Sequence, residues 1–153
     1  MMTRANAREL AVHLIYAREF TGDEPEMVIA SRLEKEYYSH LSGENPVYVD
    51  RPSSAQRAYI DSVVIGVANR IDQLNEVISN FSIDWDVSRI SKLTRTILQL
   101  AIFEIQYMED VPTGVAIAEA VRIVKLYDTD EAGAFVNGIL GSFARSLSAE
   151  VEA

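Results

Sequence analysis

Apolar residues in this chain recur at spacings of three and four and nowhere in strict alternation, so its segments can bury the stripe of a helix but not the face of a strand. Ala7, Leu10, Ala11, Leu14 and Ile15 set the pattern within residues 3–20, a stretch without Gly or Pro. Thr21-Gly22-Asp23 ends it, and Pro25 suits the first turn of a second helix striped by Met27, Ala30, Leu33, Tyr37 and Leu41. Residues 42–53, containing Gly43, Pro46 and Pro52, read as one long loop. Ser53 and Gln56 have the spacing of a reciprocal capping box. A long third helix follows on Ile60, Val63, Val64, Val67, Ile71, Leu74 and Ile78, ending near Ser79.

Beyond a break at residues 80–84, a short helical turn is expected from Trp85 to Arg89. Ser91 is placed to cap a fifth segment carrying Leu93, Ile97, Leu100, Ala101 and Met108, which Val111-Pro112 stops. Thr113 opens a helix with Ala116, Ala120, Ile123, Val124 and Tyr127, closed by the acidic turn Asp128-Thr129-Asp130. The last helix runs from Glu131 to the region of Leu147 and buries Val136, Ile139, Leu140, Phe143 and Leu147. On its other side Ala134, Gly138 and Gly141 are small enough to admit a neighbouring helix, and Gly138 is expected to pack inside the domain. The reading is an all-α fold of about seven helices.

With 153 residues, 48% of them apolar and 24% charged, the chain can build a real core, and residues 1–153 are read as a single domain. It has no cysteine, which removes disulfides, thiolate metal sites and cysteine nucleophiles. His13 and His40 lack metal-ligand spacing, so no metal is expected. No apolar run is long enough for a membrane span or shaped as a leader, and a cytoplasmic protein is expected. The net charge of −9 argues against a polyanion partner. The acid is concentrated in residues 21–50 and 109–153, however, leaving the N-terminus and the middle of the chain uncovered.

Arg4 and Arg8 lie four apart at the start of the first helix, where two guanidinium groups on one face can hold successive phosphates or simply be solvated. Arg89, Lys92 and Arg95, then Arg122 and Lys125, either extend a basic track or form ordinary polar helix faces. Glu104 falls on an apolar stripe, as a structural carboxylate rather than a general acid, because no second titratable group accompanies it. Asn137 reads as a buried amide tying helix ends, and His13 as a surface partner of Glu9. No phosphate-cradling, nucleophile or metalloprotease motif is present. The residues alone therefore describe a helical adaptor or binding module with no visible catalytic machinery.

Three stretches, in order and spanning almost the whole chain, resemble the NusB transcription antitermination family. They are Arg4-Ala5-Asn6-Ala7-Arg8-Glu9-Leu10-Ala11 with Leu14-Ile15-Tyr16; Trp85, Arg89-Ile90 and Arg95 with Ile97-Leu98-Gln99-Leu100-Ala101-Ile102-Phe103-Glu104; and Val111-Pro112, Val115-Ala116-Ile117-Ala118-Glu119-Ala120-Val121, Lys125 and Phe135-Val136-Asn137-Gly138-Ile139-Leu140. The resemblance implies an all-α fold of two small packed helical bundles, no enzymatic activity and no cofactor. It implies a factor that binds the boxA element of nascent ribosomal transcripts with ribosomal protein NusE, and joins other Nus factors on RNA polymerase. A homodimer stays open. The same helical domain stands at the N-terminus of ribosomal-RNA cytosine methyltransferases, which supplies an alternative: a related RNA-binding or protein-adaptor domain.

Carried over by position, the resemblance puts RNA contacts at Arg4, Arg8, Tyr16, Lys125 and Phe135, cations for phosphates and aromatics for unpaired bases. For Phe135, core packing against Val136 and Ile139 is an equal alternative. Asn6 thins the family's basic cluster, Ala118 stands where the family commonly has an asparagine and Ala134 where it usually has a basic residue, so weaker intrinsic RNA affinity and greater dependence on a protein partner are expected. At least one acidic block is expected to face a basic protein.

Overall fold

The computed structural model describes residues 1–82 and 90–152, apart from the side chains of residues 36, 151 and 152. Its described secondary structure is helical throughout, and the chain divides into two compact units, Met1–Asn69 and Arg70–Ala153. The expected turn with Trp85 and Arg89 lies outside the described residues.

The first unit contains α1 (Arg4–Thr21), α2 (Pro25–Arg32), α3 (Lys35–Leu41), a 3₁₀ turn at Pro46–Tyr48 and α4 (Ser54–Asn69). The Thr3 hydroxyl caps α1 by accepting from the Asn6 amide at 3.1 Å. Gly22 closes it in the left-handed region at φ 70°, where a side chain would be strained. α1 packs on both α4 and α2, and is enclosed so completely that Arg8 and Glu9 are buried with Leu10, Ala11, Val12 and Leu14.

The expected second helix is two. α2 ends at Arg32, and α3 restarts at Lys35 with the Glu34 carboxylate accepting from the Tyr37 amide. The buried stripe is Val28, Ile29, Leu33 and Tyr38, whereas Met27, Ala30 and Tyr37 are exposed. Within α2 the buried face is centred on Val28 and Ile29, one residue of rotation from Met27 and Ala30, and beyond the break Tyr38 rather than Tyr37 turns inward. Nor is the loop at 42–53 slack. Val47 and Tyr48 are buried, and the buried Tyr38 hydroxyl donates to the carbonyls of Val47 and Asp50. Burial, with Tyr48 and the Asp50 carboxylate nearby, pushes the Tyr38 phenol up to about 12, so it remains a donor.

Tyr48 also corrects the expectation for His13. The imidazole, within reach of the Glu9 charge as expected, is half-buried rather than at the surface, and its Nδ1 shares a 2.8 Å hydrogen bond with the Tyr48 hydroxyl. Burial lowers the His13 pKa, opposed by the Glu9 charge and assisted by Arg32. Ser53 does cap α4, accepting from the Gln56 amide at 3.4 Å, but the Gln56 carboxamide oxygen accepts from Arg4 Nε instead of reaching back along its own helix.

The long third helix is likewise interrupted. Arg70 leaves helical geometry at φ −127° and ψ 22°, where the first unit gives way to the second. α5 (Ile71–Phe81), α6 (Lys92–Tyr107), α7 (Thr113–Tyr127) and α8 (Asp130–Glu152) form the second unit. α6 packs on α5, α7 and α8, and its residues Thr96 to Glu104 are all buried. Ser91 caps it as expected, accepting from the Thr94 amide at 3.0 Å. Glu104 is completely buried, and Gln99 donates to Asn75 of α5 at 2.9 Å.

α8 starts one residue earlier than expected and continues to Glu152. Asn137 is exposed, not buried, because Val136, Ile139, Leu140 and Phe143 turn the other face inward. The small-residue side is not a continuous close seam. Ala134 is exposed, and a Cβ added at Gly141 would first meet Arg145 of the same helix, at 3.3 Å.

Two outcomes follow from these polar attachments. Tyr38→Phe removes the hydroxyl shared by two loop carbonyls and is expected to cost about 1–2 kcal/mol, lowering Tm by a few degrees in thermal unfolding. His13 has a folded pKa below its ordinary 6.5, so the unfolded chain takes up its proton first as pH falls. The stability this group contributes is complete above 6.5 and is lost as pH drops through the folded value. Urea unfolding between pH 8 and pH 5 is expected to show that fall, and His13→Gln to flatten it.

Candidate nucleic-acid interface

The sequence places Arg4 and Arg8 one turn apart, and the fold brings both onto one aromatic ring. Tyr59 of α4 lies beneath them, with the Arg4 guanidinium carbon 4.3 Å and the Arg8 guanidinium carbon 5.5 Å from its centroid. The face of the ring attracts each cation, and the enclosure strengthens that attraction. Gln56, one turn before Tyr59, accepts from Arg4 Nε at 2.7 Å and fixes the fork of the guanidinium. The two arginines are not equivalent, which corrects the reading of them as a solvated pair. Arg4 is half-buried at the first position of α1, whereas Arg8 is only 4% exposed. Arg4 thus combines a fixed guanidinium with access to solvent and with the positive end of the helix.

Tyr16, further along α1, is half-buried and meets Phe20 edge-on with centroids 4.9 Å apart. Phe20 is itself 59% exposed, so this end of α1 presents aromatic surface to solvent.

In the second unit Lys125 is exposed in the last turn of α7. Its stem lies over Gly133 in the first turn of α8, where an added Cβ would sit 3.3 Å from Lys125 Cε and 3.4 Å from Cγ. Phe135 is 5% exposed, so its ring belongs to the core and offers no open face for a base. Of the second basic set, Arg122 is bound to Glu119 of its own helix by two hydrogen bonds, at 3.1 and 2.9 Å. Lys92 is exposed and Arg95 half-buried at the start of α6, and Arg89 lies outside the described residues.

Several partners were not legible in the sequence. Tyr59 sits beside the apolar stripe of α4 and carries no signal that two arginines will stack on it, and Gln56 reads as a capping residue. Arg70 stacks similarly on Tyr107, 4.4 Å from its centroid, and Tyr107 in turn donates to Gln73 at 3.0 Å. The acidic turn after α7 conceals an ordered carboxylate: Asp128 accepts from Ser91 Oγ at 2.8 Å, Thr94 Oγ1 at 2.7 Å and the Thr129 amide at 2.8 Å. These hydrogen bonds, that of Thr94 foremost, hold its carboxyl below the ordinary 3.8 against the opposing effect of burial. Among the described residues no cluster of three or more His, Cys, Asp or Glu could hold a metal ion, and no helix is long and apolar enough to cross a membrane.

Comparison with known proteins places the chain in a family. A sequence profile described as the NusB family matches residues 5–145. Transcription antitermination protein NusB of Acetivibrio thermocellus is 39% identical over 144 residues, covering 94% of this chain and 90% of that protein. A solved T. maritima NusB superposes with a TM-score of 0.74 at 26% identity, over 95% of this chain and 93% of the other. NusB from a crystal structure of antitermination factors NusB and NusE in complex with dsRNA superposes with a TM-score of 0.72 at 20% identity, over 95% of this chain and 99% of the other. Matched along nearly its full length in sequence and in fold, this chain belongs to the NusB family.

Proposed function

We propose that this chain is an RNA-binding transcription antitermination factor. It recognises boxA-type single-stranded RNA together with ribosomal protein NusE and, with other Nus factors, acts on elongating RNA polymerase in the cytoplasm. It catalyses no reaction of its own and uses no cofactor. The observation that carries this reading is the family match over residues 5–145, in relatives that themselves bear the antitermination name. A structural neighbour solved with NusE and dsRNA supports both classes of partner.

In this reading Arg4, held by Tyr59 and Gln56, is the phosphate contact of the first unit, and Lys125 that of the second. Arg8 supports Arg4 from below by occupying the same ring, and Tyr16 offers an edge to an unpaired base. Phe135 contributes by seating α8. In this reading the whole chain, residues 1–153, works as one RNA-binding module. The exposed acidic residues Asp23, Glu24 and Glu26 suit a basic ribosomal protein better than they suit RNA.

Titration of labelled boxA RNA with and without NusE tests the reading: binding is expected, tighter with NusE, and no binding in either mixture at low salt would sink it. Arg4→Ala is expected to reduce the slope of log K against log salt by about 0.7, the share of one single-strand phosphate, with little change in Tm. Arg8→Ala should instead act mainly on stability, lowering Tm. Equal slopes for wild type and Arg4→Ala would remove Arg4 from the interface.

A further inference from the structure

At one corner of the second unit a single carboxylate joins three helix ends. Asp128 follows the last residue of α7 in extended conformation, its own amide still bonded to the Val124 carbonyl at 2.7 Å. Its Oδ2 accepts from Ser91 and Thr94, the N-cap and third residue of α6, while Oδ1 accepts from the Thr129 amide. The Thr129 hydroxyl then accepts from the Ala132 amide at 3.1 Å and caps α8. Lys125 lies one turn before Asp128, and its stem runs over Gly133, one residue past Ala132. The direction of the lysine therefore depends on the angle between the end of α7 and the start of α8, and Asp128 is bonded to both sides of that junction.

A carboxylate at an RNA-binding corner ought to repel phosphate. Here three donors occupy its oxygens and disperse its charge, so the group is committed to the protein. We propose that Asp128 is a positioning residue for nucleic-acid binding, which clamps α6, α7 and α8 together and so aims Lys125 at phosphate without touching RNA itself. The inference rests on the RNA-binding reading given above and adds a residue to it. It also runs against simple electrostatics, under which removing an acidic side chain from a chain of net charge −9 improves RNA binding.

The test compares wild type, Lys125→Ala, Asp128→Ala, Asp128→Asn and the double variant Lys125→Ala/Asp128→Ala in boxA RNA titrations over a range of salt. Amide hydrogen exchange of residues 129–133 is followed in parallel. Asparagine preserves one acceptor oxygen and an amide able to bond a hydroxyl oxygen, so it can span the same gap without charge. Asp128→Ala is expected to weaken binding and lower the salt slope by about 0.7, as Lys125→Ala does. It should cost nothing further in the Lys125→Ala background and should speed exchange at Ala132 and Gly133. Asp128→Asn is expected to restore most of the affinity and protection. Tighter binding by Asp128→Asn than by wild type would mean that the carboxylate acts by repulsion, overturning the proposal. So would wild-type affinity in Asp128→Ala, or additive losses in the double variant. A wild-type chain that binds no RNA removes the functional reading and the proposal together. That result is distinct from one in which Lys125→Ala weakens binding while Asp128→Ala does not.

Discussion

Each unit is built around a helix that water barely reaches, and the cost of desolvating polar groups on that helix governs what surrounds it. In the first unit α1 buries Arg8 and Glu9 among its aliphatic residues; in the second, α6 buries Thr94, Thr96, Gln99 and Glu104. An unpaired charge or amide in such a place costs several kcal/mol, about as much as a large share of the net stability of a domain. Neighbouring elements therefore have to deliver partners as well as apolar contact. Tyr59 receives Arg8, Tyr48 receives His13, Asn75 receives Gln99, and the hydroxyl of Thr94 is met by Asp128.

In the proposed RNA-binding role, the same requirement shapes the chemistry of Arg4. An exposed arginine on a free helix end spreads over many rotamers, and ordering it on contact with phosphate consumes part of the binding energy. Arg4 has already lost that freedom to a ring and a carboxamide contributed by α4. A few cations held in this way can sustain affinity in an acidic chain, since local geometry at the contact matters more than the overall charge. The acidic surface elsewhere then favours a basic partner and disfavours indiscriminate RNA binding.

Helix type, caps and core were legible because they are short-range. Pro25, Ser53, Ser91 and Pro112 act within a turn of themselves, and the stripes on α1, α6 and α8 persist for several turns. What the sequence hid depends on contacts between elements. Within α2 the expected Met27 faces solvent and Val28, one residue of rotation away, is buried instead, and the interruption at Arg70 has no Gly or Pro to announce it. Among candidate site residues, positions 4, 8, 16, 125 and 135 could be picked out from spacing and resemblance, but not the difference between an accessible Arg4 and an enclosed Arg8. That difference comes from Tyr59, more than 50 residues away along the chain. Asn137 failed for a related reason: one residue of rotation along a helix decides between core and solvent.

The sharing of one ring by two arginines ties the evolutionary fates of four positions together. Tyr59 cannot become a non-aromatic residue without loosening Arg4 and Arg8 at once, and Gln56 cannot lose its side-chain oxygen without loosening the arginine that the ring holds. Substitutions at these sites are epistatic: Lys in place of Arg4 would be mild where no ring lies beneath it and disruptive here, because an ammonium cannot both stack flat and donate to Gln56. Differences between this chain and its relatives at positions 4, 8, 56 and 59 therefore carry meaning only as a set.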